Sequence, residues 1–303
     1  MTAAATKILI TGAGAQLAAP VAAEYAEHAD VRALRHADLD ITSAAAVRQA
    51  VSSFRPTHVI NCASYNNVDG AEDDSRAALS ANAFGVRVLA RATAEADAAL
   101  IHYSTDFVFD GRGSRPYTEE DAPNPGSVYA ASKLLGEWFA LEIPKGFVLR
   151  VASLFGGKPA KSSVDRIVDA LVEGRETRVF SDRTASPSYV FDVAAATRAI
   201  AERGTPGLYH CVGTGQCTWH ELALEAARLL GTEQGAKLVP VRMADVPLRA
   251  ARPKYAALSN AKLTAVFPMP AWRDALARYV QGRLKPHATT GPDAASLLQR
   301  PTD

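Results

Sequence analysis

The amino-acid sequence predicts an α/β protein: a doubly wound parallel sheet with a smaller mixed α/β lobe over one of its edges. Across the first half of the chain, short apolar segments typical of strands alternate five times with helical patterns. The first strand runs directly into a glycine-rich turn and a helix. Strand–helix–strand units are right-handed and place their strands parallel, with helices on both faces of the sheet. After about residue 152 the alternation loosens, which predicts the second lobe.

The first unit combines a strand, a glycine turn and a helix. Residues 7–11 (KILIT) form the strand, and residues 12–18 (GAGAQLA) lead into an alanine-rich helix that reaches about residue 28. Glycine allows the sharp bend and lets a phosphate approach the backbone N–H groups at the helix start, where the dipole favours an anion. Ala15 and Ala18 stand where a G-x-x-G-x-x-G spacing would have glycine. The turn predicts a dinucleotide site, and a tight turn that binds no ligand is the alternative.

The second strand indicates which cofactor is used. Residues 31–34 form this strand, which ends at Arg35. A basic residue here can pair with the 2′-phosphate of NADPH, whereas an acidic residue would bond the free 2′-hydroxyl of NADH. Arg35 therefore favours NADPH with some use of NADH, and a solvated surface arginine is the competing interpretation.

The following strands and helices complete the predicted sheet. Their bounds are, in chain order, helix 43–54, strand 57–62, helix 71–96, strand 99–104, helix 129–141 and strand 147–151. Polar residues follow strands 57–62 and 99–104 directly, and ligands of open α/β sheets bind at the carboxyl ends of the strands. The segment 107–125 is rich in glycine, proline and acidic residues, and loops of this length are often lids.

Tyr129 and Lys133 form the pattern that most clearly indicates chemistry. They stand four residues apart on a helix, so their side chains share one face. An ammonium about 4 Å from a phenol would favour the phenolate by up to roughly 4 kcal/mol and would bring the phenol pKa towards neutrality. Most Y-x-x-x-K pairs are an aromatic residue packed beside a solvated charge. The glycine turn, and Thr105 and Asp106 at the end of a strand, favour a catalytic pair here.

Beyond residue 152 the chain is long enough for a second, smaller lobe. The elements predicted beyond residue 152 are helix 163–173, strand 178–181, turn 184–192, helix 193–202, strand 208–212, helix 218–230, strand 237–241 and helix 272–284. The predicted dinucleotide-binding domain comprises residues 1–152 and 186–207, and the substrate-binding lobe comprises residues 153–185 and 208–286. Residues 287–303 are polar without apolar periodicity, which predicts a disordered tail.

Composition narrows the class of partner and the compartment. Thirty-three basic and thirty-two acidic residues leave a net charge of +1, which offers no global basis for binding nucleic acid or a membrane surface. Small molecules or other subunits are the expected partners. The amino terminus does not have the pattern of a signal peptide, and no apolar run of about 18 residues occurs, so we expect a cytoplasmic protein. Cys62, Cys211 and Cys217 follow no metal or disulfide pattern and are expected to be buried, reduced thiols.

The chain resembles the extended short-chain dehydrogenase/reductase superfamily and, within it, the dTDP-4-dehydrorhamnose reductase family. The resemblance covers nearly the whole chain and rests on the segments KILITGAGAQL, NCASYNNVDGAE, IHYSTDFVFDG, PYTEEDAPNPGSVYAASKLLGE, SPSYVFDVA, GLYHCVGTGQCTWHELA, ARPKYAALSNAKL and PAWRDAL. It implies a Rossmann-type fold and hydride transfer from NADPH to C4 of a nucleotide-linked 4-keto-6-deoxysugar, in deoxysugar biosynthesis such as that of dTDP-rhamnose.

The resemblance also implies roles for individual residues. Tyr129 would give a proton to the carbonyl oxygen, Thr105 would hydrogen-bond that oxygen, and Lys133 would hold the nicotinamide ribose and tune Tyr129. Asp106 would lie beside the sugar, as would Ser153, where the family commonly has tryptophan. The dinucleotide would contact Gly12, Gly14, Ala15, Gln16, Leu17, Asp40, Ile41, Ser64, Tyr65, Asn66 and Tyr103.

Two further residues bear on partners and ligands. We expect Arg252 to clamp the substrate diphosphate, because its planar fork matches phosphate oxygens, and a surface arginine beside Pro253 is equally compatible with the sequence. Pro20 replaces a glutamate that some family members use for an intersubunit metal, so we expect no metal. A homodimer is possible. The alternatives are a non-catalytic dinucleotide-binding subunit, similar to the methionine adenosyltransferase regulatory subunit, and a sugar-nucleotide epimerase or dehydratase.

Overall fold

A computed structural model of the chain describes residues 6–284. Its strands are, in chain order, β1 (Lys7–Thr11), β2 (Asp30–Leu34), β3 (His58–Asn61), β4 (Ala99–Thr105), β5 (Gly146–Val151), β6 (Leu154–Phe155), β7 (Thr177–Phe180), β8 (Thr184–Ala185), β9 (Ser188–Tyr189), β10 (Gly207–His210), β11 (Cys217–Thr218), β12 (Leu238–Val241) and β13 (Tyr255–Ala256). Its helices are α1 (Ala18–Tyr25), α2 (Ala44–Phe54), α3 (Gly70–Asp73), α4 (Ser75–Leu79), α5 (Gly85–Glu95), α6 (Val128–Leu141), α7 (Ser163–Val172), α8 (Val190–Arg203), α9 (Trp219–Leu230), α10 (Ala261–Thr264) and α11 (Trp272–Leu284).

Six parallel strands form the central sheet, in the order β10-β5-β4-β3-β1-β2. Alternate residues of a strand face opposite sides of a sheet, so the apolar run of β1 feeds both layers of the core. Ile8 and Ile10 pack with α1 and α8 on one face, while Leu9 packs with α2 and α5 on the other. Successive strands are added on one side of β1 up to β2 and on its other side from β3 onward. The position between β1 and β3 is therefore the switch point, where ligands of such sheets bind. The predicted doubly wound fold is confirmed.

The smaller lobe has its own core. Helices α7, α9 and α11 enclose Phe155, Leu222, Trp272 and Tyr279. Two of these helices begin with a reciprocal cap, Ser162 with Asp165 and Thr218 with Glu221. Strand β7 pairs with β12, and β8 lies between β11 and β13, which gives the mixed α/β lobe that the sequence predicts.

One predicted boundary is wrong. The boundary after residue 207 assigns the next strand to the small lobe, but β10 pairs along its whole length with β5 in the central sheet. Helix α8 packs against α1 and returns the chain to that sheet, so β10 continues the alternation of strands and helices beyond residue 152. The tail predicted at residues 287–303 lies outside the described residues.

Two predicted segments are divided differently. The helix predicted at 71–96 comprises three helices, because Asp74 leaves the helical conformation and caps α4, and a π-helical turn at Ser80–Phe84 precedes α5. The turn predicted at 184–192 contains the short strands β8 and β9, and α8 begins three residues earlier than expected, at Val190.

The segment 107–125 is fastened at several points. Tyr117 stacks on Phe109 and exchanges backbone hydrogen bonds with the small lobe at Ala257 and Ser259. Arg115 binds Asp121 through two hydrogen bonds. The segment therefore connects β4 of the central sheet to the small lobe.

The three cysteines are buried and free, as predicted. Among the helices of residues 6–284, none is both long enough and apolar enough to span a bilayer.

Candidate active site

A groove follows the carboxyl ends of β1, β3 and β4 at the switch point of the sheet. It consists of two adjoining clefts of about 340 and 600 Å³, within the range of ligand sites. Both clefts are lined by Ala15, Ser64 and Asn66. The first also contains Gln16, Leu17, Tyr103, Thr105, Asp106, Tyr129, Lys133 and Ser153, and the second contains Gly12, Gly14, Arg35, Asp40, Ile41 and Tyr65. All residues predicted for the site except Arg252 thus line one groove.

The glycine turn is shaped for an anion. Gly12 has φ +69°, and a Cβ atom there would lie 2.4 Å from the backbone nitrogen of Ala63, so the position requires glycine. Within residues 6–284, the N–H groups of Gly14, Gln16 and Leu17 make no internal hydrogen bond. Unpaired N–H groups before a helix bind phosphate oxygens. A Cβ atom at Gly14 would meet no atom within 4 Å, so the turn stays open towards the groove despite the alanines beside it.

The far end of the groove holds the residues predicted for the adenosine. Arg35 is exposed, follows β2 and lines the second cleft together with Asp40 and Ile41. The Asp40 carboxylate accepts hydrogen bonds from the backbone and side chain of Thr42, which lowers its pKa. Within the described residues, the Arg35 guanidinium forms no ion pair. Arg35 is therefore available to a phosphate at this end.

Asn82 holds the middle of the groove in place, although no sequence motif singles it out. Its side chain accepts a hydrogen bond from the Tyr65 N–H and donates one to the Tyr65 carbonyl. It also donates to Ser132, whose hydroxyl donates to the Tyr129 carbonyl. Asn82 is completely buried in the π-helical turn. This amide thus joins the loop after β3 to the start of α6.

Tyr129, the predicted proton donor, lies at the near end of the groove. Burial raises the pKa of Tyr129 to about 12, and the neighbouring Thr105 hydroxyl acts in the opposite direction. Asp106 is buried, accepts a hydrogen bond from the Thr105 hydroxyl, and has one oxygen with no partner within the described residues. Burial raises the pKa of Asp106 to about 6. A protonated phenol and an unpartnered carboxyl oxygen therefore face the same cleft.

The predicted tuning of Tyr129 by Lys133 is wrong. Lys133 Nζ instead donates to the Tyr103 carbonyl at 2.6 Å and lies 3.4 Å from His102 Nε2. Burial lowers the pKa of Lys133 to about 8, and the same lack of solvent keeps the Tyr129 pKa high. Tyr103 contributes its carbonyl to the site, since its hydroxyl is 2.7 Å from that of Thr197 in the core.

Two residues of the small lobe differ from expectation. Arg252 lies outside both clefts, where its guanidinium makes two hydrogen bonds to Asp69, at 2.9 and 2.7 Å. The sequence did not single out Arg183, which is buried beside the cleft, with its guanidinium 5.2 Å from the centre of the Phe107 ring. The charge of Arg183 lowers the pKa of Asp106 against the effect of burial. Its isolated position in a turn gave no pattern from which to identify it.

Comparison with known proteins gives consistent matches over the described chain. Residues 6–284 match the family model described as the RmlD substrate binding domain. A dTDP-4-dehydrorhamnose reductase from Streptomyces griseus is 38% identical over 258 residues, covering 82% of this chain and 84% of that protein. A dTDP-4-dehydrorhamnose reductase from Mycobacterium tuberculosis is 39% identical over 284 residues, covering 89% and 91%.

Solved structures give the same result. The dTDP-4-dehydrorhamnose reductase from Bacillus anthracis in complex with NADP superposes with a TM-score of 0.87 at 33% identity, covering 91% of this chain and 99% of that one. UDP-glucose 4-epimerase from Thermus thermophilus in complex with NAD superposes with a TM-score of 0.79 at 20% identity, covering 91% and 98%. The epimerase likeness shows the fold alone.

Proposed function

The chain belongs to the family of the RmlD substrate binding domain, that of the dTDP-4-dehydrorhamnose reductases, and on this premise we propose that it reduces the C4 keto group of a nucleotide-linked 4-keto-6-deoxysugar with NADPH. The observation that carries this proposal is the placement of a buried, protonated Tyr129 at one end of a groove that begins at an anion-binding turn. This is an oxidoreductase of deoxysugar biosynthesis.

The residues of the groove fit the cofactor along its length. The N–H groups of Gly14, Gln16 and Leu17 would hold the pyrophosphate, and Arg35 would pair with the 2′-phosphate. Lys133 would contact the nicotinamide ribose from the floor of the first cleft. When bound, the reduced cofactor supplies a hydride.

The near end of the groove supplies the proton. Tyr129 would donate its hydroxyl proton to the developing alkoxide at C4, and Thr105 would hydrogen-bond the same oxygen. The unpartnered oxygen of Asp106 would accept a hydrogen bond from a sugar hydroxyl. Ser153 gives the cleft a small side chain at the sugar position, in a left-handed backbone conformation with φ +47°.

The diphosphate contact at Arg252 stays a prediction. Its guanidinium would have to release or share Asp69, whose pKa it lowers to about 2. Arg183 is nearer to Asp106 and offers a second candidate for the same contact. Replacing each arginine by alanine and comparing the substrate KM would show which arginine binds the diphosphate. The homodimer and the cytoplasmic location also stay predictions.

The test is oxidation of NADPH by a set of nucleotide-linked 4-keto-6-deoxysugars, followed by absorbance. We expect turnover with at least one dTDP-linked keto sugar and none with dTDP-glucose, which has no ketone to reduce. Product analysis would separate reduction from epimerisation or dehydration, which consume no NADPH overall. Binding of NADPH without turnover of any keto sugar would favour the non-catalytic subunit.

A further inference from the structure

A buried chain of polar contacts runs beneath the groove from β1 to Lys133. Thr11 Oγ1 donates to Asn61 Oδ1 at 2.7 Å, and the Ala63 N–H donates to the same oxygen at 3.0 Å. Asn61 Nδ2 lies 3.0 Å from His102 Nδ1, and His102 Nε2 lies 3.4 Å from Lys133 Nζ. Thr11, Asn61, His102 and Lys133 are at most 3% exposed. Solvent is therefore excluded from this series of contacts, which ends at Lys133.

The direction of these hydrogen bonds is fixed by the backbone. The Ala63 N–H can only donate, so the Asn61 atom that faces it is oxygen, and the Asn61 NH₂ group faces His102. His102 Nδ1 then accepts and carries no proton. Burial holds the pKa of His102 well below its ordinary value, so the neutral ring carries its one proton on Nε2. That N–H faces Lys133 Nζ.

A donor in this position disfavours an ammonium. Lys133 Nζ already donates to the Tyr103 carbonyl at 2.6 Å, and an ammonium has three donors and no acceptor. A neutral amine can donate to Tyr103 and accept from His102 with its lone pair. We propose that His102 is a positioning residue for Lys133, whose fixed Nε2–H favours the neutral amine and so lets Lys133 exchange a proton near neutral pH. Its catalytic relevance rests on the proposed function.

The other groups that face Lys133 do not reverse this preference. The pKa of the Cys62 thiol is raised to about 12 by burial, so the thiol is uncharged. The Tyr129 phenol is uncharged for the same reason. Glu137 raises the pKa of Lys133, but its carboxylate is paired with Arg150 at 2.7 Å and also accepts from Ser104. The balance leaves the Lys133 pKa at about 8.

Asn61 also blocks proton transfer along these contacts. An amide NH₂ group donates hydrogen bonds but does not release or take up a proton, so a proton cannot pass from His102 to Thr11. Lys133 can therefore exchange protons only on the groove side, where the cofactor ribose and Tyr129 would lie.

The test measures the titration of Lys133 directly. The rate of acylation of Lys133 by acetic anhydride, followed by mass spectrometry across a pH series in the free protein, reports the fraction of neutral amine. In His102→Gln the new amide can turn its oxygen towards an ammonium without adding charge. We expect the Lys133 pKa to rise by about one unit, the size of one hydrogen bond to a charged group, and the alkaline limb of kcat/KM to shift with it.

Two further variants keep the test decisive. His58→Gln alters a half-buried histidine whose ring contacts Thr57 rather than Lys133, and should leave the titration unchanged. His102→Asn can still meet Asn61 but is too short to reach Lys133, so it removes the Nε2–H donor and should also raise the Lys133 pKa, should His102→Gln not fold. An unchanged Lys133 titration in whichever of the two folds would overturn the proposal. Acylation does not require turnover, so this result stands apart from the test of the reductase activity.

Discussion

Tyr129 illustrates how solvent exclusion decides the role of a titratable side chain. Its separation from Lys133 along the helix predicts a shared face, and both side chains line the same cleft. The phenol pKa is nevertheless not lowered, because Lys133 Nζ donates to the Tyr103 carbonyl and the effect of burial dominates at Tyr129. Burial raises the pKa of Tyr129 to about 12, so at neutral pH the phenol holds its proton. A reductase needs a proton donor for the carbonyl oxygen of its substrate, and a buried phenol that keeps its proton suits the role proposed for Tyr129.

Replacing Tyr129 by phenylalanine removes this donor. Turnover should fall by about 10² to 10⁴, the usual effect of a positioned general acid, while the Kd for NADPH changes little. Tyr209→Phe is a matched control, because Tyr209 is equally buried but hydrogen-bonds Thr205 outside the groove. Steady-state kinetics and cofactor titration check both variants. Near-normal turnover of Tyr129→Phe would remove Tyr129 from the mechanism.

Arg35 should set the choice of cofactor. A charge-assisted contact with the 2′-phosphate is worth roughly 1.5 to 3 kcal/mol, or about tenfold or more in affinity. Arg35→Ala should therefore lower the ratio of kcat/KM for NADPH to that for NADH by about tenfold, mainly through the KM for NADPH. The exposed Arg48, on α2 outside the groove, provides the control Arg48→Ala. An unaltered ratio would show that Arg35 is only solvated.

At the scale of elements, the close approach of α6 to the π-helical turn builds the site. A Cβ atom at Gly136 would lie 2.2 Å from the Asn82 carbonyl oxygen and 3.2 Å from His102 Nε2. Only glycine allows the helix that bears Tyr129 and Lys133 to come this near. The Asn82 hydrogen bonds to Tyr65 and Ser132 depend on the same spacing.

Gly136→Ala should therefore destabilise the protein although alanine is the better helix former. The helix gains up to about 1 kcal/mol, but the clash with a backbone oxygen costs about 1 to 3 kcal/mol. The net free energy of unfolding should fall, and kcat should fall as α6 moves. Gly282→Ala is the control on α11, where a Cβ atom meets nothing within 4 Å, and should raise stability by about 0.5 to 1 kcal/mol. Equal stabilities of the two variants, by urea unfolding, would contradict this account.

The sequence predicts correctly those elements whose apolar residues follow a clear helical or strand pattern. The wholly buried strand β4 and the capped helix α9 lie where periodicity placed them. The predicted boundary places β10 in the wrong lobe, because its edge position in the sheet depends on pairing with β5 and leaves no pattern within its four residues. His102 and Asn82 were missed because a single polar residue inside an apolar segment gains its role from partners distant in the chain.

At the scale of the whole molecule, one buried network ties the central sheet to the segment between the lobes. Arg150 on β5 binds Glu137 on α6 through two hydrogen bonds, at 2.9 and 2.7 Å. Its third nitrogen lies 3.4 Å from His210 Nε2 on β10. His210 Nδ1 faces the carbonyls of Tyr117 and Ser259, so it must carry the proton of a neutral ring. A second proton on His210 would face the Arg150 guanidinium.

Folding stability should therefore fall on acidification through the buried histidines. Burial lowers the pKa of His210 to about 3 and holds that of His102 well below its ordinary value. The unfolded chain binds these protons below about pH 6.5 and the folded chain does not, so each histidine lowers stability by up to about 1.4 kcal/mol per pH unit. Asp106 has the opposite effect on stability and offsets about one histidine. Its raised pKa of about 6 lets the folded protein bind a proton at a higher pH than the unfolded chain does.

The variant His210→Asn separates the effect of His210 titration on folding stability from the effect of its packing. Asparagine keeps a donor for the two carbonyls but does not titrate, and the lost contacts with Phe109 and Arg150 should cost about 1 to 3 kcal/mol at neutral pH. Between about pH 6.5 and pH 4.5 the variant should lose roughly 2 to 3 kcal/mol less stability than the wild type, since one proton fewer is taken up on unfolding. Urea unfolding along a pH series measures both curves, with the exposed His36→Asn as control. If the curves of His210→Asn and the wild type stayed parallel, His210 would have to be protonated in the folded protein, and the contact with Arg150 would need another explanation.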